Sequence, residues 1–216
     1  MTTDSTSKRF LIADDHPLIR LALTTLIEQT YPESSLEQLE SGENIPKLIS
    51  ASGYDLLIMD FQMPDTDVLW LIKYLSENHP DLPVLIYSMC SEKLYGLRIL
   101  QAGAKGFVSK SSPLSELKKA IVLALEKKVY LSQELAQQIA GQRFQKSESP
   151  VDKLSPRELQ IATLLLEGHS LSKIAAKLHI QQSTAGTHKA KIFTKLKVAN
   201  LIELNEVFKG INNPGA

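Results

Sequence analysis

Leu56-Leu57-Ile58-Met59-Asp60 is an apolar run without polar alternation that stops on a carboxylate. A central strand of a parallel sheet, buried on both faces, reads this way. The pattern recurs in Phe10-Leu11-Ile12-Ala13-Asp14-Asp15, in Val84-Leu85-Ile86-Tyr87-Ser88 and in Gly106-Phe107-Val108-Ser109-Lys110. Strand-like runs fall near 9–13, 35–39, 56–60, 83–88 and 106–109, with helix-like segments near 17–29, 44–51, 67–78, 93–102 and 113–126. This β-α alternation predicts a parallel sheet wrapped by helices. Such a sheet collects its strand C-termini along one edge, where ligands bind. Asp14, Asp15, Asp60, Ser88 and Lys110 are therefore expected in one pocket.

Helix ends carry their own marks. Pro17 suits a first turn, and Ser112-Pro113-Leu114-Ser115-Glu116 reads as a cap, a first-turn proline and an acid at N3. Tyr95 and Trp70 read as packing residues. The rhythm changes after Lys128. One helix is expected over 132–143, then a polar linker, Gln145-Lys146-Ser147-Glu148-Ser149-Pro150. Beyond it four helices are expected, near 155–167, 171–178, 182–196 and 200–209. Ser155-Pro156-Arg157-Glu158 opens the first with a capping-box pattern, and Gly168 closes it.

The chain has 216 residues and 43% hydrophobic content, enough for one or two domains with a real core. Its net charge is zero, but the halves differ. Residues 1–128 carry 13 Lys+Arg against 17 Asp+Glu, and residues 129–216 carry 11 against 7. A basic second half suggests a polyanionic partner. The one cysteine, Cys90, excludes a disulfide framework and a cysteine-rich zinc site. The polar N-terminus and the lack of a long apolar run lead us to expect a cytoplasmic protein with no membrane partner.

Crowded carboxylates repel each other, and Mg²⁺ relieves that repulsion through oxygen ligands. With a lysine ammonium it can neutralise a phosphoryl group while a carboxylate attacks in line. Asp60 is the candidate nucleophile, Asp14 and Asp15 the metal edge, Lys110 the ammonium and Ser88 a hydroxyl donor. His16 is expected in a loop role, because Mg²⁺ prefers oxygen.

Residues 8–128 resemble the receiver domain of a two-component response regulator. The resemblance rests on Asp14-Asp15-His16-Pro17, Met59-Asp60-Phe61-Gln62-Met63-Pro64, Ser88 and Phe107-Val108-Ser109-Lys110. It implies a flavodoxin-like, doubly wound sheet in the order 2-1-3-4-5. It also implies that a sensor histidine kinase phosphorylates Asp60, and that Asp15, Asp60 and the main-chain carbonyl of Gln62 bind Mg²⁺. Asp14 would act through water, and Ser88 and Phe107 would form a switch pair. Two departures stand out. Val68 replaces a common glycine, so that loop is expected to differ in shape. Met89 replaces a common small residue and is expected to narrow the path of hydrolytic water.

Between Glu167 and Glu203 there is no acid, while Lys173, Lys177, Lys189, Lys191, Lys195 and Lys197 lie within that window. Such a stretch suits a phosphate backbone. Ile174, Ala175 and Leu178, then His179-Ile180-Gln181-Gln182, then Ser183-Thr184 fit a helix, a turn and a second helix. Residues 151–209 resemble the LuxR-type helix-turn-helix of the NarL/FixJ family. The matches include Leu154-Ser155-Pro156-Arg157-Glu158, Gly168-His169-Ser170, Lys173-Ile174-Ala175, His188, Ile192 and Lys195-Leu196. The helix-turn-helix is expected over about 171–190. Thr184 and Thr187 are expected at phosphates or bases, His188 and Lys189 at the groove wall, and Lys191 and Lys195 at phosphates. Gly186 and Ala190 remove commonly polar positions, so backbone contacts and DNA shape should carry more of the recognition.

Together these readings predict a receiver over 8–128, a helix-bearing linker over 129–150 and a DNA-binding domain over 151–216. The expected protein is a transcriptional regulator switched by phosphorylation, not an enzyme with independent turnover. Its expected partners are the kinase, promoter duplex, a second copy of the chain and RNA polymerase. An aspartyl-phosphate phosphohydrolase is the competing enzyme reading, but Gln62 stands where such enzymes commonly need a second acid. A receiver joined to a protein-interaction module is the third reading.

Overall fold

The computed structural model describes residues 7–63, 66–144, 150–178 and 180–212. Contacts divide the chain into two units, Met1–Phe144 and Gln145–Ala216. Pro64, Asp65, His179 and most of the expected linker lie outside the described residues.

The first unit alternates strand and helix. It contains β1 (Arg9–Ala13), α1 (Pro17–Thr30), β2 (Ser35–Leu39), α2 (Ile45–Ala51), β3 (Leu56–Met59), α3 (Val68–Asn78), β4 (Val84–Ser88), α4 (Glu92–Gln101), β5 (Gly106–Ser109), α5 (Leu114–Leu125) and α6 (Gln133–Phe144). The strands form one sheet in the order β2-β1-β3-β4-β5. Every pairing is parallel. All of β3 is buried, as an unalternated apolar run requires. Edge strand β2, Ser-Leu-Glu-Gln-Leu, has no buried residue. One core layer joins Phe10, Ile12, Leu56, Ile58 and Leu85 of the sheet to Leu23 and Ile27 of α1 and Leu117 and Ile121 of α5.

Several local expectations change. The helix expected from Pro113 begins at Leu114, with Pro113 itself at the cap and no side-chain cap bond. Ser112 instead donates its amide to the Ser109 carbonyl at 2.9 Å. Val68 does not distort its loop through a positive φ, since among the described non-glycine residues only Lys127 and Lys197 have one. It is the first residue of α3, and Asp67 caps that helix by accepting from the Trp70 amide at 3.0 Å. Trp70 is not a packing residue. It is 58% exposed and stacks on Tyr74, with ring centroids 5.3 Å apart. Val68, Leu69, Leu71, Ile72 and Leu75 take the core face, leaving the i,i+4 pair Trp70 and Tyr74 on another. Tyr95 is buried, as expected.

The helix expected within 129–150 is α6, and it packs on α4. Ser132 caps it, accepting from the Leu135 amide at 3.0 Å and donating to Glu92 at 2.7 Å. Leu135 is fully buried. A Cβ on Gly96 would lie 3.1 Å from its methyl groups, so the glycine makes room for them.

The second unit is helical. A 3-10 turn (Pro150–Lys153) precedes α7 (Pro156–Leu166), α8 (Leu171–Lys177), α9 (Gln182–Leu196) and α10 (Leu201–Asn212). The Ser155–Glu158 capping box on α7 is present in both directions. Gly168, at φ +83°, follows the end of α7. Leu159, Ile161, Ala162, Ile174, Ala185, Ile192 and Leu204 are completely buried and hold the helices together.

Candidate phosphoacceptor site and nucleic-acid interface

Parallel register brings the five polar strand-end residues together. The Asp60 amide donates to the Ala13 carbonyl at 2.8 Å, and the Lys110 amide to the Ser88 carbonyl at 2.9 Å. These bonds extend the ladders one residue beyond the strands. Lys110 Nζ then lies 2.6 Å from Asp14 Oδ2 and 2.7 Å from Asp60 Oδ2. Ser88 Oγ donates to Asp60 Oδ1 at 2.5 Å, and the Gln62 amide donates to the same oxygen at 3.2 Å. Asp14, Asp60 and Ser88 are all buried. Burial opposes the Lys110 ammonium, but the hydrogen bonds it donates to Asp14 and Asp60, and their charges, outweigh it and hold its pKa above the ordinary lysine value.

Asp14, Asp15, His16 and Asp60 each offer a ligand atom, all within 4.8 Å of one another. One Asp15 oxygen, Oδ1, is buried without a hydrogen bond. His16 Nδ1 approaches it to 2.6 Å, but outside hydrogen-bond geometry. Three carboxylates on one edge, one with an oxygen that accepts no hydrogen bond, fit a hard divalent cation such as Mg²⁺. His16 stands closer to the acids than a plain loop residue. Its amide donates to Asp14 Oδ1 at 2.9 Å and its ring nitrogen lies 3.1 Å from the same oxygen.

Phe107 is fully buried in β5, in register with Ile86, whereas Ser88 pairs with Ser109. Met89 is 70% exposed. Arg20 was not singled out by the sequence. Its Nη1 donates to the Asp14 carbonyl at 2.6 Å and its Nη2 to Glu40 at 2.6 Å.

In the second unit, α8 and α9 form the expected helix-turn-helix. Ser170 caps α8 by accepting from the Lys173 amide at 3.3 Å. The Ile180 amide closes back on the Ala175 carbonyl at 3.0 Å. The start of α9 presents Ser183, Thr184 and Thr187 to solvent, with Lys191 exposed further along and Lys189 half-buried. Thr187 spends its hydroxyl proton on the Ser183 carbonyl at 3.0 Å, so it can only accept from a ligand. Lys189 Nζ lies 5.3 Å from the Phe193 ring centroid, a cation-π distance.

Lys195, expected at a phosphate, has its ammonium 2.6 Å from Glu158 Oε2, a buried carboxylate on α7. Burial would raise the pKa of Glu158, yet Lys195 and the Ser155 amide and hydroxyl bring it below the usual carboxylate value. The pair fixes α9 to α7. His188 Nδ1 is buried without a partner, and burial lowers the pKa of the ring, so a neutral imidazole is favoured at the expected groove wall.

Gly186 meets nothing within 4 Å where its Cβ would stand. Gly186→Ala should therefore stabilise the second unit by about 1 kcal/mol, the usual helix-interior difference. Urea unfolding of the isolated unit would register this as a raised midpoint, and a lowered midpoint would contradict it.

The family model for the "Response regulator receiver domain" matches residues 10–122. That for "Bacterial regulatory proteins, luxR family" matches residues 152–208. Among curated proteins, response regulator GacA of Pseudomonas viridiflava is 34% identical over 198 residues, covering 91% of this chain and 92% of that protein. Response regulator UvrY of Escherichia coli K12 is 27% identical, covering 91% of each. Among solved structures, RcsB from Salmonella enterica serovar Typhimurium, bound to promoter rprA with the phosphomimetic BeF3⁻, superposes with a TM-score of 0.63. It is 27% identical, and the match covers 94% of this chain and 99% of that one. The strand-end pocket and the lysine-rich helix-turn-helix thus lie in two domains of known kinds, and the chain is a response regulator of the NarL/FixJ family, a receiver domain followed by a LuxR-type DNA-binding domain.

Proposed function

We propose that Asp60 accepts a phosphoryl group from a sensor histidine kinase and that this modification controls promoter binding by the α8–α9 module. The observation that carries the proposal is the placement of Asp60, with Lys110 on one carboxylate oxygen and Ser88 and the Gln62 amide on the other. An incoming phosphoryl group meets like charge at a bare carboxylate. Lys110 places an ammonium 2.7 Å from Asp60 Oδ2, where it can neutralise the phosphoryl oxygens as the carboxylate attacks.

Asp15, Asp60 and the Gln62 carbonyl would hold Mg²⁺, with Asp14 reaching it through water. When bound, the cation supplies charge neutralisation for the transferring group. Phosphorylation removes one oxygen of Asp60 from its present hydrogen bonds. Ser88 then turns to the phosphoryl group, and Phe107 is the neighbouring core side chain proposed to respond. Met89 sits one residue beyond Ser88, exposed, where it can govern access of the water that hydrolyses the acyl phosphate.

For DNA, Ser183 and Thr184 at the start of α9 would face the major groove, with Lys173, Lys177, Lys189, Lys191 and Lys197 toward phosphates. The promoter complex of the RcsB relative supports this reading, as does the absence of acids between Glu167 and Glu203. A second copy of the chain would allow two half-sites to be read, and RNA polymerase is the downstream partner. The pocket and module favour this reading over a phosphohydrolase, since Gln62 contributes an amide donor to Asp60 and no second acid.

Duplex binding by the full chain tests the proposal. With four or five phosphate contacts, affinity should fall on the order of a hundredfold between about 50 and about 200 mM salt. A phosphodonor with Mg²⁺ should tighten binding at each salt concentration. A flat salt response would assign the module to protein interaction instead.

A further inference from the structure

We propose that Arg20 is a positioning residue for the metal edge of the phosphoacceptor site. It would act by fixing the peptide between Asp14 and Asp15. This rests on the reading that the acidic pocket binds Mg²⁺.

Asp15 lies beyond β1, so no ladder of that strand sets its direction. The Asp14 residue is held on one side by its amide, which donates to the Leu39 carbonyl at 3.1 Å. On the other side Arg20 Nη1 donates to its carbonyl at 2.6 Å. That carbonyl belongs to the peptide leading into Asp15. Its orientation sets the direction in which the Asp15 side chain leaves, and hence where Oδ1, which accepts no hydrogen bond, points.

Arginine suits this task. Its side chain is only 10% exposed, and a buried cation is costly unless paired and hydrogen-bonded. The rigid fork reaches two acceptors at once, the Asp14 carbonyl and Glu40 Oε1, each at 2.6 Å. Among the described residues Arg20 pairs with Glu40, not with an acid of the pocket. It therefore occupies no oxygen of the three pocket carboxylates while clamping the backbone that carries two of them.

Charge and position predict opposite signs. A nearby fixed cation repels a divalent metal, so removing it should tighten binding if charge were its only effect. Loss of a group that orients a ligand typically weakens metal binding tenfold or more.

The test is Mn²⁺ binding to the full, unphosphorylated chain, followed by electron paramagnetic resonance, with urea midpoints measured in parallel. Arg20→Met should weaken Mn²⁺ by about tenfold. Arg20→Lys, which keeps the charge but spans one acceptor, should weaken it several-fold. Glu40→Gln, which loses the ion pair but leaves the carbonyl bond, should change it less than twofold. Unchanged or tighter Mn²⁺ binding in a folded Arg20 variant would overturn the proposal. So would an equal loss in Glu40→Gln, which would make the ion pair and not the peptide clamp responsible. No Mn²⁺ binding by the wild type would overturn the metal reading itself, and the role of Arg20 with it.

Discussion

Asp60→Asn should abolish covalent labelling of the chain by a small-molecule phosphodonor in the presence of Mg²⁺. Other carboxylates surround the pocket, but among the described residues Asp60 alone joins Lys110, Ser88 and the Gln62 amide. Asp14 shares only Lys110 of those three, and its Oδ1 faces the His16 amide. An amide at position 60 keeps the volume and loses the nucleophilic oxygen. The fold should survive, because Asn can still accept from Ser88 and Gln62 while the crowding of negative charge falls. Mass spectrometry of the intact protein reads the outcome. Retained labelling of a folded Asp60→Asn protein would place the acceptor elsewhere.

Lys110→Met should destabilise the first unit by about 3 kcal/mol in metal-free buffer at neutral pH, the scale expected for breaking a buried ion pair from one side. The lysine side chain is 4% exposed and lies between two carboxylates that are equally buried. Methionine fills the stem's space and leaves those charges facing each other. The pH dependence has a definite sign. The folded pKa of Lys110 is raised, so its stabilisation is complete below the ordinary lysine value of about 10.4 and is lost as pH rises through the higher folded value. The gap between wild type and variant should stay level from neutral to mildly alkaline pH and close only beyond. Mg²⁺ should stabilise the variant more than the wild type, because it takes over the missing neutralisation and binds the folded state alone. Urea midpoints with and without Mg²⁺ would show this. A variant as stable as wild type in metal-free buffer would mean that the two carboxylates do not depend on Lys110.

The architecture was legible because its signals are local. Leu56–Met59 needs no partner to be recognised as a doubly buried strand, and the alternation with amphipathic segments orders the rest. The pocket followed from topology, since a parallel sheet puts every strand end on one edge. What stayed hidden depends on contacts between residues distant in sequence. Lys195 belongs to a run of lysines, and nothing nearby shows that Glu158, 37 residues earlier, engages it. Glu158 itself was legible as a cap but not as an ion-pair partner. Trp70 was misread because aromatic residues usually bury, while the helical phase of α3 gives the core to its aliphatic neighbours. Arg20 looked like an ordinary helix residue; only the fold shows that its fork ends on the Asp14 carbonyl.

The helix α6 shows the same limit. Its sequence is polar enough to read as part of a connection, yet Leu135 seats against Gly96 and Ser132 bonds Glu92. Single apolar anchors of this kind leave little periodic trace. The DNA-binding module is the reverse case, in which the capping box and helix-turn-helix spacing are local patterns that the structure reproduces.

Genome-wide mapping of bound DNA, with wild type and Asp60→Asn expressed at equal levels, tests most directly whether phosphorylation of the receiver controls the module. The wild type should occupy discrete promoter sites under conditions that activate its kinase, and Asp60→Asn should lose most of that occupancy while remaining folded. Equal occupancy by the two proteins would contradict the account.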